Sequence, residues 1–248
     1  MSPLHELDEV RRLEQLAFRG WPALDSRDID GWRLRFANGY TKRANSINAL
    51  GYNPSTEIEV LEAPYRSRGQ RPAWRLSPLA PSAMAGLLAD RGYSSIERSL
   101  VQRCPLREGF PADPAVEIAD QPSAAWLDAF CTHSPVRPEH RETMKRMLSA
   151  IATPKAFALV HRHGQPMAMA IGALEGDHMG LFDVLVMPDA RRQGLARRVT
   201  ESLYAWAWRR GARFAYLQVV ATNAPALALY EAQGFRTVYA YNYWLPPE

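Results

Sequence analysis

The chain has 248 residues, a formal net charge of +4 and two cysteines, and these properties exclude several classes of protein. Its length suits one large domain or two of ordinary size. Cys104 and Cys131 lack CxxC spacing, which argues against a zinc site or a disulfide framework and favours a reducing cytosol. The arginine excess can suit phosphates, but there is no sustained basic run and no basic-aromatic interleaving, so we expect no nucleic acid partner.

The start of the chain has acidic residues where a signal peptide needs basic and then apolar ones. No apolar run approaches the roughly 20 residues of a membrane span. We therefore expect a soluble, cytoplasmic protein without membrane contact. The sequence does not decide between a monomer and a homodimer.

The first half of the chain mixes helices and strands. Hydrophobic periodicity predicts helices over residues 8–18, 56–65 and 81–90, and strands over residues 32–36 and 40–47. A turn at Asn38-Gly39 separates the two strands. Three prolines within residues 105–114 interrupt both periodicities, and we place a domain boundary there. The predicted domains are residues 1–105 and 112–248.

Strands and helices alternate in the second half. The pattern predicts strands over residues 115–118, 156–161, 167–174, 178–186 and 214–220, and helices over 123–130, 139–151 and 195–210. A turn at His163-Gly164 makes a hairpin of the second and third strands. His161 and His163 share a strand face, but nothing completes a metal set, so we expect no metal. The alternation, with one parallel strand pair, indicates an α/β or α+β mixed sheet.

The most informative motif follows the strand 178–186. Met-Pro-Asp-Ala leads into Arg191-Arg192-Gln193-Gly194-Leu195-Ala196 and then a long amphipathic helix. Gly194 can adopt backbone angles that other residues avoid, and the helix start offers unpaired N–H groups and a positive dipole end. Arg191, Arg192, Arg197 and Arg198 crowd this helix start, where cations oppose the dipole. The segment predicts a cradle for a phosphate-like anion; a solvated, arginine-rich helix start is the alternative.

Further motif residues follow the strand 214–220. The chain runs through Asn223, Tyr230 and Gly234-Phe235. The ordered set (Arg/Gln)-x-x-Gly-x-(Gly/Ala), strand, Asn-x-x-Ala-x-x-x-Tyr, Gly-Phe resembles the GNAT superfamily of acyl-CoA-dependent N-acetyltransferases over residues 112–246. The resemblance implies a central mixed sheet with flanking helices. It also implies that the strands on either side of the cradle helix splay apart and admit acetyl-CoA as co-substrate.

The resemblance also implies which residues hold the coenzyme. Backbone groups of Val184, Leu185 and Val186 would bond the pantetheine arm and polarise the thioester carbonyl. The pyrophosphate would lie on the cradle, and the whole implied set is Val184, Leu185, Val186, Arg191, Arg192, Gln193, Gly194, Leu195, Ala196, Arg197, Asn223 and Tyr230. Tyr230 is also the candidate general acid for the leaving thiolate. Its alternative role is that of a core aromatic residue with a hydrated hydroxyl.

Acetyl transfer to an amine also needs a proton acceptor, because a free ammonium has a pKa of about 10. Asp183, a carboxylate inside an apolar strand, is our candidate base, and His178 is the second choice. Asp183 bonded to backbone or to an arginine for structural reasons is the alternative. In the first half, Arg43, Asn45 and Ser46 form a dense polar set on the strand predicted over 40–47, and could hold a carboxylate or polar group of the substrate. An outward strand face whose hydrogen bonds close the domain interface is the alternative.

The two halves of the chain share one local pattern. Leu88 to Tyr93 and Tyr230 to Phe235 both run from a helix through Gly-aromatic towards a strand. We interpret the first half as a smaller, degenerate GNAT-like α+β domain. Leu88 replaces Tyr230 there and the cradle is missing, so only the second half should bind acyl-CoA.

These patterns favour an enzyme that acetylates a primary amine of a small molecule by direct attack in a ternary complex. Acetylation of a protein lysine or N-terminal amine is the alternative within enzymes. A non-catalytic acyl-CoA sensor is the alternative outside them. The sequence does not identify the acceptor amine.

Overall fold

A computed structural model describes residues 3–51, 57–134 and 136–247. No helix within these ranges is long and apolar enough to cross a membrane. The side chains of residues 3–5 are not described.

The described residues of the first half form three α-helices and five strands. They are α1 (Pro3–Gly20), β1 (Asp25–Ile29), β2 (Trp32–Phe36), β3 (Ile47–Ala49), α2 (Ile58–Arg66), β4 (Trp74–Leu76), α3 (Met84–Ala89) and β5 (Ser94–Pro105). The predicted helices are confirmed within these bounds, except that Thr56 lies outside the described residues. Strand β1 was not predicted, because its residues are mostly polar and exposed.

In the second half, the part of the chain that the structure describes forms four α-helices and six strands. They are β6 (Val116–Ala119), α4 (Ala124–His133), α5 (Arg141–Ser149), β7 (Lys155–Arg162), β8 (Gln165–Glu175), β9 (His178–Val186), α6 (Leu195–Trp208), β10 (Phe214–Val220), α7 (Ala224–Ala232) and β11 (Arg236–Leu245). The elements predicted over residues 115–220 are confirmed to within a few residues at each end. Ser123 caps α4 by accepting a hydrogen bond from the Trp126 backbone N–H.

All described strands join one mixed sheet, which confirms the predicted fold class. Its strand order is β1-β2-β3-β4-β11-β5-β10-β9-β8-β7-β6. β9 and β10 are parallel, as are β3 and β4, and the other neighbours are antiparallel. Because β5 pairs with both β10 and β11, the two halves of the chain share the sheet. The sequence changes character at residues 105–112, but the sheet continues across this point. The domain boundary therefore stays a prediction.

The strand predicted over residues 40–47 is wrong. A short 3-10 turn occupies Lys42–Ala44, and the strand begins at Ile47. The side chain of Asn45 explains the difference, since its Oδ1 accepts hydrogen bonds from the Ala37 and Gly39 backbone N–H groups. Its Nδ2 donates to the Tyr40 and Thr41 carbonyls. These bonds fold the segment into a loop instead of leaving its backbone free for a ladder.

The pattern shared by the two halves has a matching backbone geometry. Gly92 and Gly234 both have positive φ, at 79° and 90°. The Tyr93 N–H donates to the Leu88 carbonyl as the Phe235 N–H donates to the Tyr230 carbonyl, each at 3.0 Å. The strands that follow, β5 and β11, pair with each other near the middle of the sheet. This correspondence supports, as a proposal, a duplicated ancestral unit.

Candidate active site

β9 and β10 are paired along only part of their length. Phe214 to Leu217 pair in parallel with His178 to Leu181. In the described chain no pairing joins the two strands further on, although β9 continues to Val186 and β10 to Val220. The expected splay is confirmed. Backbone groups of the open part of β9 that point towards β10 therefore have no strand partner and remain available for a ligand.

A β-bulge lies at the point where the strands part. Met169 of β8 pairs with Leu185 and Ile171 pairs with Phe182, so Asp183 and Val184 together face a single residue of β8. Asp183 has a φ of 47°, which is uncommon for a residue other than glycine. Bulges change the direction of a side chain relative to a regular strand. The candidate base thus projects from an irregular point of β9.

Asp183 is held by an arginine from the first half of the chain. Arg43 Nη2 donates to Asp183 Oδ1 at 2.7 Å, and the two side chains are only 26% and 15% exposed. The guanidinium also lies over the Trp21 ring, with Cζ 4.7 Å from the ring centroid. Burial acts to lower the pKa of Arg43, but the charge of Asp183 and its hydrogen bond outweigh this effect and raise it. Two residues predicted for separate roles therefore form one ion pair.

A cleft of about 490 Å³ opens between the splayed strands. It is lined by Thr41, Lys42, Arg43, Glu97, Ser99, Leu181, Phe182, Asp183, Val184, Leu217, Gln218, Val219, Val220, Asn223, Ala226, Tyr230, Tyr241 and Tyr243. Both candidate catalytic residues, Asp183 and Tyr230, line this one cleft. It is therefore the candidate active site.

Tyr230 is on α7 and is 7% exposed. Its ring packs against Phe235 with 5.7 Å between centroids. The structure shows no hydrogen bond from its hydroxyl to another described residue. Burial, together with the nearby charge of Asp183, raises the pKa of Tyr230 to about 12. The hydroxyl therefore stays protonated over the working range of most enzymes, as a proton donor requires.

The predicted cradle has the backbone of an anion-binding loop. Gly194 is the N-cap of α6 in a left-handed conformation with φ 74°, and Arg192 has φ 61°. No side chain caps the helix, so its first N–H groups are left for a ligand. Left-handed residues next to a helix start orient successive N–H groups inwards, which suits an anion such as pyrophosphate.

The cradle arginines divide into two groups by their contacts. Arg197 bonds Glu201 at 2.8 Å, and Arg198 bonds Asp113. Arg191 makes one long contact of 3.5 Å to the Val186 carbonyl, and Arg192 is exposed. Part of the positive charge is thus balanced within the protein. The role of Arg191, Arg192 and Arg197 towards a coenzyme stays a prediction.

Other predicted residues have structural duties. Asn223 caps α7, because its Oδ1 accepts a hydrogen bond from the Ala226 N–H at 3.3 Å. Its side-chain nitrogen Nδ2 has no hydrogen bond to a described residue and is left for a ligand. The side-chain amide of Asn45 bonds backbone groups of the loop over residues 37–41. Ser46 is fully buried and bonds Asn48. Of the proposed substrate residues, Arg43 is the one that lines the cleft.

Sequence reasoning missed Glu97, a second carboxylate in the cleft. It lies in an irregular part of β5, where Tyr241 pairs with Ser99 but Tyr243 pairs with Ile96, and its φ is 47°. It bonds Lys42 at 3.0 Å, next to the Arg43 that holds Asp183. A glutamate in a polar strand gives no pattern by which its position could be found from sequence.

The second-choice base, His178, lies at the closed end of β9. It is 2% exposed, its Nδ1 is 2.8 Å from Asp177 Oδ1, and its ring is tilted against Phe214. Burial lowers its pKa, against the effect of Asp177. It does not line the cleft, so the geometry offers it no part in proton transfer there.

Comparisons with known proteins agree with this geometry. The family described as "Probable histone acetyltransferase Rv0428c C-terminal" matches residues 8–244. The uncharacterized N-acetyltransferase YobR of Bacillus subtilis is 27% identical over 96% of this chain and 98% of its own. The probable histone acetyltransferase Rv0428c of Mycobacterium tuberculosis is 29% identical over 92% of this chain and 70% of its own.

Among solved structures, a GCN5-related N-acetyltransferase from Kribbella flavida has the same fold. The TM-score is 0.69 and the sequence identity is 16%, over 96% of this chain and 95% of that one. The family match spans almost the whole chain, and the motif residues quoted above lie at the open strand pair. The chain belongs to the family of the Rv0428c C-terminal acetyltransferase and is a GNAT-type N-acetyltransferase, for which the family implies acetyl-CoA as co-substrate.

Proposed function

We propose that this enzyme transfers the acetyl group of acetyl-CoA to the primary amine of a small molecule in one step with both substrates bound. The observation that carries the proposal is the open end of the β9–β10 pair, where Asp183 and Tyr230 line the same cleft. The cradle, the unpaired edge of β9 and the unbonded Tyr230 hydroxyl fit acetyl-CoA, which supplies the thioester when bound.

The chain's own residues then have distinct tasks. Backbone groups of Val184, Leu185 and Val186 orient the donor along β9, and a backbone N–H polarises the reacting carbonyl. The uncapped start of α6, with Arg191 and Arg192 beside it, holds the phosphates. The amide nitrogen of Asn223 remains for the pantetheine arm.

The bond changes balance with two proton transfers. The amine nitrogen attacks the thioester carbonyl carbon, a C–N bond forms, and the C–S bond breaks. The Tyr230 hydroxyl gives its proton to the departing thiolate. The proton lost by the amine passes to Asp183, directly or through water, and from there to solvent. A proton from solvent then restores the Tyr230 hydroxyl. The first half of the chain takes part because Arg43 holds that carboxylate.

Substituting Tyr230 tests the proposal. We expect Tyr230→Phe to lower kcat by about 100-fold, since a positioned general acid contributes on this scale, and to leave the Kd of acetyl-CoA within twofold. Thiol release against a panel of amines measures kcat, and calorimetry measures Kd. Tyr204→Phe is the matched control, because Tyr204 bonds Gln233 outside the cleft. Equal activity of Tyr230→Phe and the wild type would contradict the assignment.

A protein amine is the alternative acceptor, because the Mycobacterium tuberculosis relative is named as a probable histone acetyltransferase. A histone-tail lysine peptide belongs in the same panel. A kcat/KM for this peptide above that of every small amine would replace the proposal by protein acetylation.

A further inference from the structure

A second pocket, here called the acceptor pocket, adjoins the cleft. Its volume is about 400 Å³, and Thr41, Lys42, Arg43, Asp183 and Val184 line both spaces. The Arg43–Asp183 ion pair therefore stands between them. A molecule in the acceptor pocket can present an amine to the open end of β9 while the rest of it stays outside the donor's path.

The wall of this pocket is basic. Lys42, Arg43, Arg137 and His140 line it, and Asp183 is the single carboxylate among its described lining residues. Arg43 and Asp183 neutralise each other. Lys42 and Arg137 remain as cations, and they face a space with no other carboxylate among its described lining residues.

The counter-ions of these cations are easily exchanged. Lys42 bonds Glu97, and these side chains are 37% and 46% exposed. Arg137 Nε lies 3.4 Å from Glu139 Oε1, and these two side chains are 70% and 58% exposed. Neither glutamate is among the residues that line the pocket. Exposed pairs of this kind contribute little to stability, so an entering anion can displace them easily.

Further polar groups line the acceptor pocket but not the cleft. Arg137 Nη2 lies 3.3 Å from His140 Nε2, and the His140 ring stands against Tyr40 with 5.8 Å between centroids. Ser134 Oγ is buried and has no hydrogen-bond partner among the described residues. A guanidinium and a free hydroxyl are donors that together suit a carboxylate or phosphate.

We propose that the acceptor pocket binds an anionic group, so that the acceptor is a small primary amine that also carries a carboxylate or a phosphate. This inference rests on the proposed function and narrows it. The carboxylate of Asp183, on the side shared with the cleft, and the guanidinium of Arg137, which lines the acceptor pocket alone, match a molecule with an amine at one end and a negative charge at the other. The same wall opposes a basic peptide such as a histone tail, because like charges would meet there.

Matched acceptors give the first test. Each amino acid is compared with its amide and its decarboxylated amine, phosphoethanolamine is compared with ethanolamine, and a histone-tail peptide is included. We expect kcat/KM to be at least tenfold higher for the anionic member of at least one set, with the amino acid and phosphate sets distinguishing carboxylate from phosphate. Equal values throughout, or a preference for the peptide, would overturn the inference.

Variants give the second test. Arg137→Ala should raise the KM for the anionic acceptor about tenfold and leave the KM for acetyl-CoA unchanged. Arg137→Glu should reverse the preference towards neutral or cationic amines. Arg162→Ala, an exposed arginine on β7, is the matched control and should change neither value. An equal response of the Arg137 and Arg162 variants would overturn the inference.

A binding measurement separates the two proposals. Calorimetry with N-acetylglutamate, an anionic product analogue, should show at least fivefold weaker binding to Arg137→Ala than to the wild type, whether or not turnover is seen. Turnover of amines without charge preference refutes the inference and leaves the acetyltransferase proposal intact. Absence of turnover with every amine refutes the small-molecule proposal. If the wild type also shows no binding of N-acetylglutamate, the inference falls too.

Discussion

The two ends of β9 meet β10 in opposite ways. At the closed end, His178 to Leu181 pair with β10, and the side chains there are buried. Gly180 leaves room for the Tyr216 ring, since a Cβ at Gly180 would lie 2.6 Å from the Tyr216 hydroxyl oxygen. At the open end the pairing with β10 stops and a bulge begins. The Asp183 side chain is held there by an ion pair with Arg43.

The difference shows how one strand serves both stability and chemistry. The closed end fixes the spacing of β9 and β10 by tight packing, because interiors resist even small changes of volume. The open end then departs from that fixed point with unpaired backbone and a charged side chain. Substitutions at the closed end should therefore act on folding, and those at the open end should act mainly on catalysis.

The largest effect is expected from Gly180→Ala. The added methyl group would meet Phe182 and Tyr216 at 2.6 Å, so the rings must shift, and we expect a loss of about 3 kcal/mol in the free energy of unfolding. Urea denaturation measures it. Gly86→Ala is the matched control, because a Cβ there meets nothing within 4 Å and the helix α3 should gain slightly. A loss below 1 kcal/mol at Gly180 would show that the closed end is not tightly constrained.

Asp183→Asn at the open end comes next. It keeps the shape of the side chain but leaves the Arg43 guanidinium without its anion, which we expect to cost about 2 kcal/mol of stability. We also expect kcat to fall about 100-fold with acetyl-CoA affinity kept, because the proton acceptor is lost. Asp120→Asn, an exposed aspartate, is the control. A loss of stability with full activity would assign Asp183 a structural role alone.

A smaller, pH-dependent effect is expected from His178 at the closed end. Burial lowers its pKa in the folded state, so the unfolded chain binds more protons as the pH falls through the ordinary value of about 6.5. The stability associated with neutral His178 is present above that value and is lost progressively below it. Urea midpoints between pH 8 and pH 5 measure the slope. His178→Phe, which keeps a ring against Phe214, should flatten it; an unchanged slope would exclude His178 as its source.

The smallest effect is expected from Glu97→Gln. Glu97 resembles Asp183 in its positive φ and in its bond to the neighbouring residue of the same loop, but its ion pair with Lys42 is exposed. We expect the free energy of unfolding to fall by less than about 0.5 kcal/mol, and this loss should disappear at high salt. Thermal unfolding at two salt concentrations measures it. A loss of stability as large as that of Asp183→Asn would show that the two ion pairs, at Glu97 and at Asp183, contribute equally to stability.

The parts of the site that follow from local sequence were predictable. Gly194 and the helix after it are set by backbone chemistry within a few residues, and the bounds predicted for β9 and β10 are those of the structure. The splay came from the family resemblance. The Arg43–Asp183 contact joins residues 140 positions apart, and no periodicity reports such a pair. The strand predicted over residues 40–47 failed because one side chain, that of Asn45, replaced ladder hydrogen bonds.

The position of β11 between β4 and β5 bears on how the protein is made. β4 and β5 are synthesised long before β11, yet each gains its neighbour on that side only when β11 arrives. Until then the nascent chain carries two unpaired strand edges, a state that invites association with other chains. Pairing over such long separations is also slow. The catalytic cleft, which is lined in part by Tyr241 and Tyr243 of β11, should therefore form among the last features of the fold.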